Sequence, residues 1–337
     1  MTKSRLKNYL SFIIKAVVSI ALIWYLLSIT EFSSVIASLK SASPFWLLLS
    51  FITLIIGKII TSYRWQVLLK AQNIDIPLRF LIGSVFVGQF FNSFLPTTIG
   101  GDAIRAYDTA ELSKQSTKSV VSVFADRLIG VFALALLGVF ALGIGYVSGQ
   151  DVSFYVIPVL LVFFLCGFGV LLIFNDRLLK LLDQLLGYLK LRKIAAALQE
   201  AYQSFNILKT APRVLLIALL ASLLLQVNVI LFYYFIGVSL NLGVSLLYFA
   251  MIVPVALIVL LIPFSINGIG IREGIFVYLL TGLGVDNQDA IALSWISFGL
   301  MLTQGIIGGV IFALRGIRLG KTDVEHSVPQ NPKKKPM

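Results

Sequence analysis

Leu95-Pro96-Thr97-Thr98-Ile99-Gly100-Gly101-Asp102-Ala103-Ile104-Arg105 and Ile262-Pro263-Phe264-Ser265-Ile266-Asn267-Gly268-Ile269-Gly270-Ile271-Arg272 are two versions of one pattern, 167 residues apart. Each has a proline, a glycine five residues on, an isoleucine eight on and an arginine nine on. Proline ends a helix because it lacks an N–H and its ring clashes with the turn before it. Glycine admits backbone conformations that other residues avoid. The pattern reads as an apolar segment, a break, and a helix restarting beside an arginine.

Both copies close long apolar runs. The 337-residue chain is 58% hydrophobic and 12% charged, with a mean hydropathy of +0.96. Soluble domains carry about 25% charged residues. Apolar segments run over about 9–30, 44–69, 78–95, 119–147, 154–174, 214–236, 244–262 and 290–314. Roughly 20 apolar residues suffice to cross a bilayer as a helix, so length alone suggests eight crossings.

Charge placement argues for fewer. The net charge is +12, which could suggest nucleic acid as a partner, but the basic residues cluster beside apolar spans, as membrane topology requires. They fill 1–7, 64–79, 175–213 and the tail, which holds Arg315, Arg318, Lys321 and Lys333 to Lys335. Connectors 31–43, 148–153 and 237–243 hold one lysine between them. Eight crossings would put the basic 175–213 segment outside. Six crossings satisfy every connector if 78–95 and 244–262 enter the membrane and return. Such re-entrant segments are tolerated where protein or a wet cavity covers their backbone.

Neighbouring spans recur at similar offsets: 44 with 214, 119 with 290, and 9 with 154 once the longer 175–213 connector is allowed for. The expectation is an all-α polytopic integral membrane protein. It forms an inverted repeat of four segments each, about 9–147 and 154–314, with about six full crossings plus two re-entrant segments. A single transmembrane domain covers 1–320, both termini are cytoplasmic, and the setting is the plasma membrane. Interrupted segments in matching halves mark the binding site of many transporters. Leu178, Leu181, Leu182, Leu185, Leu186 and Leu189 share one helical face, so 175–213 reads as an amphipathic helix on the cytoplasmic surface or a coiled-coil or partner-binding helix. The tail 321–337 reads as disordered, basic and attracted to anionic lipid.

The single cysteine, Cys166, lies in an apolar span, and the single histidine, His326, in the polar tail. These exclude an intrachain disulfide and a His-based intramembrane site. No GxxxxGK[ST] loop occurs, and no cofactor or metal is expected. The basic start followed by an apolar run resembles a signal peptide, but the run is too long and no cleavage site follows. It reads as a retained span.

Arg105 and Arg272 are the foremost candidates for substrate binding. A helix N-terminus bearing an arginine attracts anions, and the guanidinium fork suits phosphate. The alternative is that both reach the interface to meet headgroups. Gly100, Gly101, Asn267, Gly268 and Gly270 shape the breaks. Asp102 could pair with Arg105, and Glu273 adjoins Arg272, in structural ion pairs or functional ones. Asp126 and Arg127 open the span 119–147 and are expected near the cytoplasmic interface, or in a polar pathway. Lys58 lies deep in the span 44–69, where an ionisable residue suggests function, unless its chain extends to the interface. Lys15 and Arg64 are expected to extend in that way. Gln89, Asn92 and Ser93 form a polar stripe that lines a cavity or bonds neighbouring helices.

Pro96, Gly100-Gly101-Asp102 and Arg105, then Ser122, Asp126-Arg127-Leu128, then Pro263, Asn267-Gly268, Gly270 and Arg272-Glu273-Gly274 together resemble the lysylphosphatidylglycerol synthase transmembrane-region family. The resemblance covers about 5–320. It departs at 126, where glutamate is expected, and in having no soluble aminoacyl-transferase domain after 320, so lysine transfer to lipid is not implied. The resemblance implies movement of a lipid between leaflets, here a phospholipid or polyprenyl-phosphate-linked lipid, with membrane lipids as partners and no nucleic acid. Two other readings stand beside it. One is a membrane-embedded glycosyl- or phosphotransferase using Asp102 and Asp108. The other is a scaffold for a separate lipid-modifying enzyme.

Overall fold

The computed structural model describes residues 32–94, 100–149, 152–174, 211–261 and 265–326. The expected first span 9–30, most of the amphipathic connector, and the tail beyond 326 lie outside the described residues, as do Pro96 and Pro263. Every regular element described is helical: α1 (Phe32–Ser41), α2 (Pro44–Ala71), α3 (Leu78–Phe94), α4 (Gly100–Ser113), α5 (Ser116–Val147), α6 (Ser153–Phe174), α7 (Pro212–Ser239), α8 (Leu246–Leu260), α9 (Ile271–Thr281) and α10 (Asn287–His326). Four stretches are long and apolar enough to cross a membrane: α2, α5, α7 and Asn287–Arg315 of α10. The 22-residue α6 is a further apolar helix.

The inverted repeat is visible in helix lengths and ends. Both α2 and α7 are 28 residues long and have proline in the first turn, where its missing N–H is no loss. Each stops at an asparagine with positive φ, Asn73 at 61° and Asn241 at 55°. In each, the next N–H bonds back into the last turn, Ile74 to Leu69 O and Leu242 to Gly237 O, both at 3.0 Å. These landmarks recur at an offset of 168, and so do the starts of α3 and α8.

Helices α2 and α7 run antiparallel in close contact. Ser43 N–H donates to Ser239 O (2.9 Å), Ser50 Oγ to Phe232 O (3.0 Å), and Asn228 Nδ2 to Thr53 O (2.8 Å). Farther along, Arg64 Nη1 donates to Ser222 Oγ (2.8 Å). The crossing passes at Gly57, against Leu225 and Asn228.

Two ends of the bundle are distinguishable. At one, connector 31–43 meets connector 237–243 through Ser43 and Ser239, and Ser38 Oγ donates to Asp289 Oδ1 at 2.6 Å. Val35, Leu240 and Val285 share a core there, and Val152 packs against it. At the other end, Leu68, Val121 and Ala218 pack together, and Lys118 reaches Gln72 O. Among the described residues, the poorly charged connectors thus share one end, and the basic segment 64–79 lies at the other.

Two helical hairpins fill the space between. Arg315 of α10 donates to Phe80 O of α3 (2.9 Å) and Asp108 of α4 (3.1 Å), so α4 returns to the end where α3 began. In the other half, Phe249 of α8 and Phe276 of α9 both meet α7, at Tyr234 and Tyr233. The hairpins meet tip to tip, with Asn267 Nδ2 donating to Ser93 O at 2.6 Å.

Candidate functional site

The two tips are built differently. At the first, Asn92 Oδ1 accepts the Gly101 N–H at 2.7 Å. A Cβ on Gly101 would stand 2.3 Å from Gly88 O, so glycine is needed for the closeness of α3 and α4. At the second, Asn267 (φ 54°), Gly268 (74°) and Gly270 (84°) are all left-handed, a turn that glycine makes without steric penalty. Then α9 begins, and Glu273 accepts the Gly270 N–H at 2.6 Å. Asp102 and Glu273 both sit in first turns, where the helix dipole favours negative charge.

Behind the first tip lies a chain of alternating charges. Asp126 Oδ1 accepts Arg64 Nε at 2.5 Å, and its Oδ2 accepts Arg105 Nη2 at 2.8 Å. Asp102 Oδ1 stands 3.4 Å from Arg105 Nη1, and its Oδ2 accepts Arg127 Nη1 at 2.6 Å. Arg64, Arg105 and Asp126 are buried. Arg105 also lies over the Trp65 ring, 4.3 Å from its centroid, and Trp65 in turn donates to Ser122 Oγ at 3.1 Å. Burying one of these charges alone would be prohibitive, and mutual pairing makes it tolerable.

Arg272 is treated otherwise. Only 8% exposed, it donates Nη2 to Asn267 O at 3.0 Å and stacks over Phe298 at 5.0 Å. Its Nε and Nη1 have no hydrogen-bond partner. Lys58, midway along α2, donates to Gln89 Oε1 at 2.7 Å, a neutral acceptor. Among the described residues, no carboxylate lies within ion-pair reach of either.

Arg272 and Arg105 line the same cavity of about 420 Å³, together with Arg64, Arg127, Asp102, Asp126 and Asn92. Its volume falls in the range of small-molecule sites. A smaller space of about 170 Å³ adjoins it between the tips, bounded by Gln89, Asn92, Ser93, Asn267, Gly268 and Arg272. Lys58 and Gln89 border a third, about 220 Å³, beside Asn228 and Gln304.

The structure thus brings Arg105, Arg272, Asp102, Asn92, Asp126 and Arg127 to one cavity, with Asn267 and Gly268 beside it and Lys58 at its flank. Gly100, Gly101, Gly270 and Glu273 act on the backbone of the breaks. Three expectations change. Glu273 does not pair with Arg272 but caps α9. Arg64 does not extend to the interface; Asp126 and Ser222 hold it inside. Asp126 is buried between two arginines, the second of its two readings. Of the two readings of Lys58, the side chain takes the inward one, to Gln89. Arg64 could have been found from sequence by asking whether an acidic residue in another span balances it, as Asp126 does. Among the described residues, no three His, Cys, Asp or Glu side chains gather as metal ligands.

The chain belongs to the family described as the lysylphosphatidylglycerol synthase transmembrane region, whose model matches residues 12–308. It is similar to a UPF0104 membrane protein of Methanothermobacter thermautotrophicus, 25% identical over 291 residues, covering 80% of this chain and 86% of that one. A second UPF0104 membrane protein, from Pyrococcus horikoshii, is 28% identical over 127 residues, 37% of each chain. Family and apolar helices together make this a multi-pass membrane protein.

Proposed function

We propose that this member of the family moves a phosphate-bearing lipid between the leaflets of the plasma membrane. One observation carries the reading: two hairpin tips from opposite ends of the bundle present arginines to one mid-bundle cavity, and one of those arginines is buried without a counter-charge. An anion is the natural occupant, because an isolated buried charge is costly and an arginine fork matches phosphate oxygens. Each first turn adds about half a positive charge of helix dipole.

In this reading the hairpins are re-entrant, the basic end of the bundle faces the cytoplasm, and the apolar helix faces meet lipid tails. The headgroup enters the cavity from one side and engages Arg272. The tip contact between Asn267 and Ser93 then opens to release it on the other. Asp102 and Asp126 keep Arg105 and Arg127 in place as the headgroup passes. No GxxxxGK[ST] loop is present in the sequence, and the driving force in this reading is a gradient, the membrane potential or none. An anionic headgroup moving outward from a negative interior gains about 2.3 kcal/mol per charge per 100 mV.

The transferase reading is less well supported, since Asp102 and Asp108 are each committed to arginines, Arg127 and Arg315. A scaffold for a lipid-modifying enzyme would not need an unpaired buried arginine. The test is transbilayer movement of a labelled anionic phospholipid in liposomes holding the purified protein. Movement is expected with the wild type and absent with Arg272→Ala; undiminished movement in that variant would overturn the proposal.

A further inference from the structure

We infer that the headgroup this cavity accepts carries two negative charges, as a phosphomonoester or diphosphate does, and that Lys58 and Arg272 are the two cations reserved for it. The inference rests on the lipid-translocase reading and specifies its substrate.

The interior charges do not balance. Arg64, Arg105 and Arg127 are joined to Asp102 and Asp126 in one chain of ion pairs. Glu273 is occupied by the Gly270 N–H. Among the described residues around the cavity, even when Glu273 is counted, Arg64, Arg105, Arg127, Lys58 and Arg272 face three carboxylates, two cations in excess, and the side chain of Arg127 is 40% exposed. The stretches 95–99 and 262–264 beside the tips contain no ionisable residue, so they do not restore neutrality. The ion-pair chain joins three of these arginines to two aspartates, and of the five cations only Lys58 and Arg272 touch no carboxylate.

Lys58 and Arg272 line neighbouring spaces that share Gln89. Arg272 has Nε and Nη1 buried and unbonded, donors on two different edges of the guanidinium whose shared arm, Nη2, holds Asn267 O, so each is left to meet an anionic oxygen. Lys58 holds Gln89 through one of three ammonium protons, and Gln89 borders the same small space as Arg272. A phosphomonoester carries about −1.5 to −2 charges at neutral pH and would neutralise both. A phosphodiester leaves one cation unmet, and a zwitterionic headgroup brings its own cation beside the arginines.

The test compares ligands of one chain length, with inorganic phosphate beside them, on the full-length protein in detergent: dodecyl phosphate, its methyl diester and dodecylphosphocholine, titrated calorimetrically at neutral pH. Dodecyl phosphate is expected to bind at least about tenfold tighter than the diester, the factor one modest additional ion pair supplies. That preference should vanish in Lys58→Met and in Arg272→Gln, both checked for a monodisperse elution profile. The two substitutions lie on different helices, so one misfolded variant leaves the other decisive. Binding of the monoester and the diester within about twofold of each other would overturn the two-charge inference. It would leave the translocase reading standing if labelled phospholipid still moves in liposomes. Inorganic phosphate binding as tightly as dodecyl phosphate would overturn both, since the site would then serve a soluble anion. A preference surviving in both variants would overturn the assignment to these residues.

Discussion

The first hairpin holds its arginine between two aspartates, whereas the second leaves its arginine with a backbone carbonyl and a phenyl ring. Counting from the start of each repeated helix explains the difference. Arg64 of α2 corresponds to Phe232 of α7, Lys58 to Gln226, and Asp126 of α5 to Ser297 of α10. The first-turn acids Asp102 and Glu273 correspond to each other, but Arg272 sits in the first turn of α9 and Arg105 one turn farther along α4. One half has become an ion-paired polar network, and the other has kept an arginine that faces the cavity with no carboxylate in contact. Duplication supplied the frame; divergence within it separated a rigid side from a reactive one.

If that division holds, substitutions should separate stability from activity. The largest loss of stability should follow Asp126→Asn, which strips the counter-charge from two buried arginines. Breaking such a pair costs about 3–5 kcal/mol, visible as a lower melting temperature in detergent or as failure to purify. Next is Gly101→Val, which drives a side chain into the Gly88 carbonyl. Overpacking of that kind costs about 1–3 kcal/mol, whereas Gly274→Ala, with open space around its Cβ position, should do no harm in the same melting assay. Arg127→Gln should cost less than about 1 kcal/mol, because its side chain is 40% exposed and water replaces part of the pair. The smallest effect on stability should come from Arg272→Leu, unchanged or slightly raised, although that protein moves no lipid. A destabilisation by Arg272→Leu as large as that by Asp126→Asn would erase the distinction between the two hairpins.

Much of this was legible in the sequence. The Pro-to-Arg repeat, the two breaks and the sharing of ends by like connectors all follow from local rules about proline, glycine and charge. The partners of Arg64 and Glu273 did not follow. Arg64 looks like an interfacial arginine until α5 places Asp126 against it, a contact spanning 62 residues. Glu273 looks like a partner of Arg272 because the two are adjacent, yet successive helix residues point in different directions and the nearest free donor is Gly270 N–H. The one-turn displacement between Arg105 and Arg272 was also hidden, since motif alignment counts from the proline whereas the helices count from their own first turns.

The joint between the hairpin tips has a consequence for the resting cell. A charged cavity in mid-membrane is a leak if it opens to both sides, and protons or small anions would drain the energy stored across the bilayer. On the proposed translocase reading, the hydrogen bond from Asn267 to Ser93 joins the tips through uncharged groups and serves as insulation between turnovers. Turnover on that reading is brief and occluded at each step, and a substitution that loosens Asn267 is expected to raise the resting ion conductance before it alters any lipid.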